Sequence, residues 1–139
     1  MRNAPLVSTL MYHFYNRGVS KRKIFLNDQD YRFCQYKISL LKIKYEINII
    51  TYCLMPNHFH LFLYTQAAAK NISKFIGNLQ WIYAKYFNRR YKHSGHVFES
   101  KYKNTQIDPQ YMQTMIDYIE QNPVRAKLVK RSEDWPYKG

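Results

Sequence analysis

Nine residues, Met55-Pro56-Asn57-His58-Phe59-His60-Leu61-Phe62-Leu63, constrain this chain more than any other stretch. Pro-Asn is turn chemistry, and the residues after it are strand formers. Side chains alternate along a strand, so His58 and His60 project from one face. Phe59, Leu61 and Leu63 project from the other, towards a core. Two imidazoles on one rigid face are half of a metal site. An H-x-H pair is short and weak alone, so its meaning depends on what the rest of the chain supplies.

The flanking segments predict how that strand is housed. Residues 1–10 read as a loose leader. Tyr12 to Asn16 is a short strand, ended by Asn16-Arg17-Gly18. Asn27 or Asp28 caps a helix to about Tyr45, with Tyr31, Cys34, Ile38, Leu41 and Tyr45 at helical spacing. Residues 47–55 are rich in β-formers and pair with the histidine strand, which runs to Thr65, as an antiparallel hairpin. Lys70 or Asn71 opens a long helix to about Tyr91. Val97 to Thr105 reads as a fourth strand. Asp108-Pro109 starts a third helix that ends near Asn122-Pro123. Residues 124–139 form a basic tail, with Trp135 folded back on the body. At 139 residues the chain is one domain. The order predicts an α+β fold: a ferredoxin-like, RRM-like βαββαβ antiparallel sheet with helices on one face. The extra third helix is free to cover the other face, where His58 and His60 point.

That helix carries the rest of the constellation. Met112, Met115, Ile116 and Ile119 make its apolar stripe, and Tyr111, Tyr118 and Asn122 share an adjoining face. Tyr118 and Asn122 are four residues apart, hence neighbours one turn apart. His58, His60 and the Asn122 oxygen are a donor set for Mg²⁺ or Mn²⁺ with positions left for a phosphodiester. Closed structural zinc would want a fourth protein ligand, usually thiolate, and neither cysteine is placed for it. Tyr118 is then the candidate nucleophile on phosphorus. Each member has a plainer use: a tyrosine at a core edge, an asparagine ending a helix. His93 and His96 flank Gly95 and read as a turn; His13 reads as packing or a backbone partner.

Charge points to the substrate. Lys and Arg total 22 against 9 acids, a net +13, which suits a polyanion. Candidate backbone contacts are Lys21, Arg22, Lys23, Arg89, Arg90, Lys92, Arg125 and Lys127. Cys34 and Cys53 lie in apolar segments without metal or disulfide spacing and read as reduced core residues. No stretch is apolar enough to span a bilayer and no signal-like segment opens the chain, so a cytoplasmic protein is expected.

Cys53-Leu54-Met55-Pro56-Asn57-His58-Phe59-His60-Leu61 resembles the His-hydrophobic-His motif of IS200/IS605-type single-tyrosine transposases. Tyr118-Ile119-Glu120-Gln121-Asn122-Pro123-Val124-Arg125-Ala126 resembles the nucleophile helix of their REP-associated subgroup. Asn16-Arg17-Gly18, Asp30-Tyr31, Gly95-His96-Val97-Phe98 and Asp134-Trp135-Pro136 fit the same subgroup in order. The resemblance implies a transposase that cleaves and rejoins single-stranded DNA near hairpins. It implies Tyr118 as the residue joined to the 5′ phosphate, and His58, His60 and Asn122 as ligands of Mg²⁺ or Mn²⁺. Relatives include monomers and dimers, and the sequence leaves both open. Two rivals also stay open: a DNA- or RNA-hairpin binder that no longer cuts, and a hydrolytic phosphoesterase. The presence of only one H-x-H argues against the second.

Overall fold

The computed structural model describes residues 3–139. The elements in chain order are β1 (Met11–Arg17), α1 (Asp28–Lys44), β2 (Ile47–Met55), β3 (His58–Thr65), α2 (Lys70–Tyr91), β4 (Lys103–Ile107), α3 (Met112–Glu120) and α4 (Asn122–Arg125). One antiparallel sheet runs β2-β3-β1-β4. This is the expected βαββαβ arrangement with its extra helix.

The alternation read from the sequence decides which helix covers which face. Phe59, Leu61 and Leu63 of β3 join Tyr12, Phe14 and Leu54 in the main core. α1 contributes Tyr31, Cys34, Ile38 and Leu41 to it, and α2 contributes Ile72, Phe75, Ile76, Leu79, Tyr83 and Phe87. Phe62 points the opposite way and meets Cys53, Met55, Ile107 and Ile119 in a smaller core under α3. Ile119 is fully buried there; burying an isoleucine is worth about 1.5–3 kcal/mol, enough to seat a nine-residue helix at one point. A register shift between Ile49 and Thr51 adds one residue to β2. That bulge lets Ile47 and Ile49 face α1 and α2 while Cys53 and Met55, beyond it, face α3.

Asn27 caps α1 by accepting from Asp30 N at 3.3 Å. The Asp30 carboxylate is buried between α1 and α2. It accepts from Leu26 N at 2.9 Å, from the Tyr86 hydroxyl at 2.7 Å and from the Tyr91 hydroxyl at 2.5 Å.

Four boundaries differ from the sequence reading. Residues 3–10, expected as a loose leader, are fastened: Ala4 N donates to Asn104 Oδ1 at 2.7 Å, and Val7 N to the Tyr12 hydroxyl at 2.7 Å. Met1 and Arg2, the rest of that leader, lie outside the described residues. The fourth strand starts at Lys103, not Val97, because Val97 and Tyr102 plug the main core from irregular backbone. The third helix begins as a 3-10 turn at Pro109–Tyr111, and Asp108 makes no side-chain cap. It breaks at Gln121 and restarts as α4, with Pro123 in the first turn. The tail folds back as expected: Tyr52 N donates to Gly139 O at 2.7 Å and Leu54 N to Tyr137 O at 2.9 Å, covering the β2 edge. Trp135 Nε1 donates to Leu54 O at 2.9 Å. Among the described residues no helix is long and apolar enough to cross a membrane.

Candidate active site

The hairpin turn Pro56-Asn57 presents the two histidines, and the basic loop after β1 holds that turn. Gly18 N donates to Asn57 O at 2.9 Å and Ile24 N to Pro56 O at 2.8 Å. Asn57 Nδ2 reaches Lys21 O at 3.3 Å. Only glycine fits at position 18, since a Cβ there would stand 2.3 Å from the Arg22 carbonyl oxygen. The Asn16-Arg17-Gly18 motif is thus a bracket. Asn16 is buried and donates to Gln80 Oε1 and Ser100 O, both at 2.8 Å, and Arg17 pairs with Glu99 at 2.6 Å.

His58 and His60 share the face that α3 covers, with rings 5.1 Å apart and nearly perpendicular. The Nδ1 of each is engaged. His58 Nδ1 donates to Asn57 Oδ1 at 2.7 Å, which makes its Nε2 the unprotonated, lone-pair nitrogen. His60 Nδ1 lies 2.8 Å from Nε2 of His13, the residue expected from the sequence to be packing or a backbone partner. Burial lowers all three imidazoles, His13 and His58 to about 4 and His60 to about 2, with His13, His58 and Arg125 adding to the effect at His60. All three are therefore neutral at pH 7, the form that binds metal.

α3 and α4 bring Tyr118 and Asn122 to the same place. The Tyr118 ring stands edge-on to His60 at 5.8 Å and to His13 at 6.5 Å, and is about half exposed. Asn122 Nδ2 lies 3.3 Å from His58 Nε2. Among the described residues no three His, Cys, Asp or Glu side chains are arranged to hold a metal ion. A metal here would need a third donor of another type. Asn122 offers one, because rotating its amide exchanges nitrogen for oxygen. Two neutral imidazoles and an amide oxygen fit a divalent cation of the Mg²⁺ or Mn²⁺ kind.

Tyr118 and His13 border two grooves. One, of about 380 Å³, is lined by His13, Tyr15, His60, Lys103 and Thr105. The other, of about 600 Å³, is more apolar and is lined by Ile107, Tyr111 and Met115 among others. Tyr15 and Lys103 escaped the sequence reading. The available signal was Tyr15 two residues from His13, on a strand whose pairing partner carries the histidines. All eight candidate cations are exposed. Three already have partners: Arg22 meets His93, Arg90 Nε lies 3.3 Å from Asp30 Oδ1, and Arg125 donates to the Tyr118 carbonyl at 2.6 Å. The Arg125 guanidinium also lies over the Tyr118 ring at 4.3 Å. His96 is exposed in its turn, and His93 Nδ1 donates to Asn88 Oδ1 at 2.6 Å.

A family model described as "Transposase IS200 like" matches residues 6–122. No curated protein matches the sequence. Among solved structures, a REP-associated tyrosine transposase bound to a REP hairpin superposes with a TM-score of 0.77 at 18% identity, over 99% of this chain and 81% of that one. A putative transposase from Deinococcus radiodurans R1 superposes with a TM-score of 0.56 at 16% identity, over 87% of this chain and 96% of that one. At such identities the likeness to both structures is one of fold.

Proposed function

This chain belongs to the IS200-like transposase family, and on that premise we propose that it cuts and rejoins single-stranded DNA beside hairpins through a covalent phosphotyrosine at Tyr118. The observation that carries this reading is the position of Tyr118. Its ring stands 5.8 Å from His60 and 6.5 Å from His13, on an open groove. The reading takes residues 1–139 as one catalytic domain with hairpin DNA as substrate.

In the proposed step the Tyr118 oxygen, its proton released to solvent, attacks phosphorus. The bond from phosphorus to the 3′ oxygen breaks, and that oxygen takes a proton from solvent to become a 3′ hydroxyl. The 5′ phosphate stays on tyrosine, and a second 3′ hydroxyl reverses the sequence to rejoin a strand. His58, His60 and Asn122 are the residues that would hold Mg²⁺ or Mn²⁺. A bound cation there would polarise the phosphodiester and offset charge on the leaving oxygen. Asn57 and His13 keep the two imidazoles oriented. Lys103, exposed on the same groove, attracts the phosphate, and Lys21, Lys23, Lys92, Arg125 and Lys127 are further exposed cations for the backbone.

The test is incubation with labelled single-stranded hairpin DNA and Mn²⁺, followed by denaturing electrophoresis. A protein–DNA adduct is expected, absent in Tyr118→Phe, whose DNA affinity stays near that of the parent. An adduct that persists in Tyr118→Phe moves the nucleophile elsewhere, with Tyr111 the next candidate. Tight binding with no adduct from the parent chain overturns cutting altogether.

A further inference from the structure

A second aromatic and cationic surface lies on the far side of the sheet from Tyr118. α2 buries Ile72, Phe75, Ile76, Leu79, Tyr83 and Phe87 against the sheet. Its outward side carries Trp81, which is 61% exposed. Lys85, one turn on, holds its ammonium 4.4 Å from the Trp81 ring centre. Arg89 follows one turn further, so the three repeat with a rise of about 6 Å. They border a groove of about 490 Å³ between α2 and α1. Its floor is a ready-made stack: the rings of Phe33 and Tyr86 lie 3.9 Å apart and 12° from parallel. Arg90 closes one end. Among the described residues no acidic side chain lines the groove, and the buried Asp30 carboxylate beside it is already covered by Arg90 and two phenols.

We propose that this groove binds unpaired nucleotides of single-stranded DNA, with a base stacked on Trp81 and the flanking phosphates on Lys85 and Arg89. An indole left in water is unfavourable, and the Lys85 ammonium relieves only one side of it. A base has a π-face for the indole, and its backbone has the charge that Lys85 and Arg89, neither paired with a carboxylate, can meet. A duplex offers the charge but keeps its base faces stacked inside. A protein partner for this groove would need to be acidic and aromatic at once. The sheet separates the groove from His58 and His60, so a strand seated here is a different stretch from the one at Tyr118. The assignment goes beyond the strand-transfer reading and does not depend on it: a chain that held DNA without cutting would use the groove in the same way.

The full chain is titrated without divalent metal with an oligothymidylate of about fifteen nucleotides, a length that covers typical single-strand sites. Tryptophan fluorescence is followed. Quenching is expected, since stacking deactivates the exposed indole. Trp81→Ala removes an exposed side chain, so its circular dichroism matches the parent. It is expected to lose the quench and bind about ten-fold more weakly. Replacing Lys85 and Arg89 together by Gln lowers the salt slope of binding by about two. Equal affinity in Trp81→Ala overturns the proposal. So does equal quenching by a duplex of the same length, or by inorganic polyphosphate, which carries charge without bases. No cleavage enters the measurement, so failure to form an adduct at Tyr118 leaves this result standing.

Discussion

His13 Nε2 lies 2.8 Å from His60 Nδ1, with the two rings stacked 16° from parallel at 5.0 Å. The pairing register puts His13 opposite Phe62 and Tyr15 opposite His60, so all four share the face under α3. When His60 Nδ1–H donates to His13, the His60 Nε2 lone pair is left free. His13 is then a positioning residue, acting through His60 on whatever cation the site holds. Such partners typically contribute 10–100-fold in metal affinity. His13→Ala is expected to raise the Mn²⁺ concentration for half-maximal adduct by that factor. His13→Gln, which keeps an acceptor near the same place, should recover part of it. An unchanged Mn²⁺ requirement in His13→Ala would remove His13 from the site.

The three lowered imidazoles also link stability to acidity. An unfolded histidine titrates near 6.5. In the fold His13 and His58 are held at about 4 and His60 at about 2. Between those values the unfolded chain binds more protons than the folded one, so stability rises with pH. The contribution is whole above pH 6.5 and is lost as pH falls towards 4. Each imidazole accounts for an order of 1–2 kcal/mol at pH 5. Urea midpoints measured without metal should fall from pH 7 to pH 5, and fall less in His13→Gln. A midpoint independent of pH across that range would contradict the burial of these rings.

Gly18 ties fold to site. Its N–H holds Asn57 O, and Asn57 in turn orients His58. A methyl at position 18 would meet a backbone oxygen at 2.3 Å, which no rotamer change can relieve. Gly18→Ala is expected to cost about 1–3 kcal/mol, the range for overpacking, seen as a lower melting temperature. The displaced turn should also slow adduct formation at temperatures where the variant is fully folded. A variant as stable and as active as its parent would show that the loop is not the bracket described.

The face-sharing of His58 and His60, and the spacing of Tyr118 and Asn122, could be read in the sequence because both are local periodicities. His13, Tyr15 and Lys103 could not, because they reach the site through strand register between segments far apart in the chain. The start of the fourth strand differs for another reason. Val97 and Phe98 have strand composition, yet Val97 packs into the core from irregular backbone. Lys103, Asn104 and Thr105, the polar end of the expected strand, do form the sheet edge, which runs on to Ile107. Charge was legible as a total and not as an assignment. Arg90 neutralises a buried carboxylate, and Arg125 serves the tyrosine helix.

Arg125 makes the last of these points testable. Its Nη2 donates to the Tyr118 carbonyl at 2.6 Å while its guanidinium lies over the same ring at 4.3 Å. One flat fork does both, which a lysine ammonium cannot. The side chain is exposed, so Arg125→Lys should change stability by less than about 0.5 kcal/mol. It keeps the charge, so DNA affinity and its salt slope should hold. If Arg125 orients Tyr118, the single-turnover rate of adduct formation falls several-fold in Arg125→Lys with affinity unchanged. If Arg125 were only a backbone contact, Arg125→Lys would match the parent in rate, and only Arg125→Gln would weaken binding.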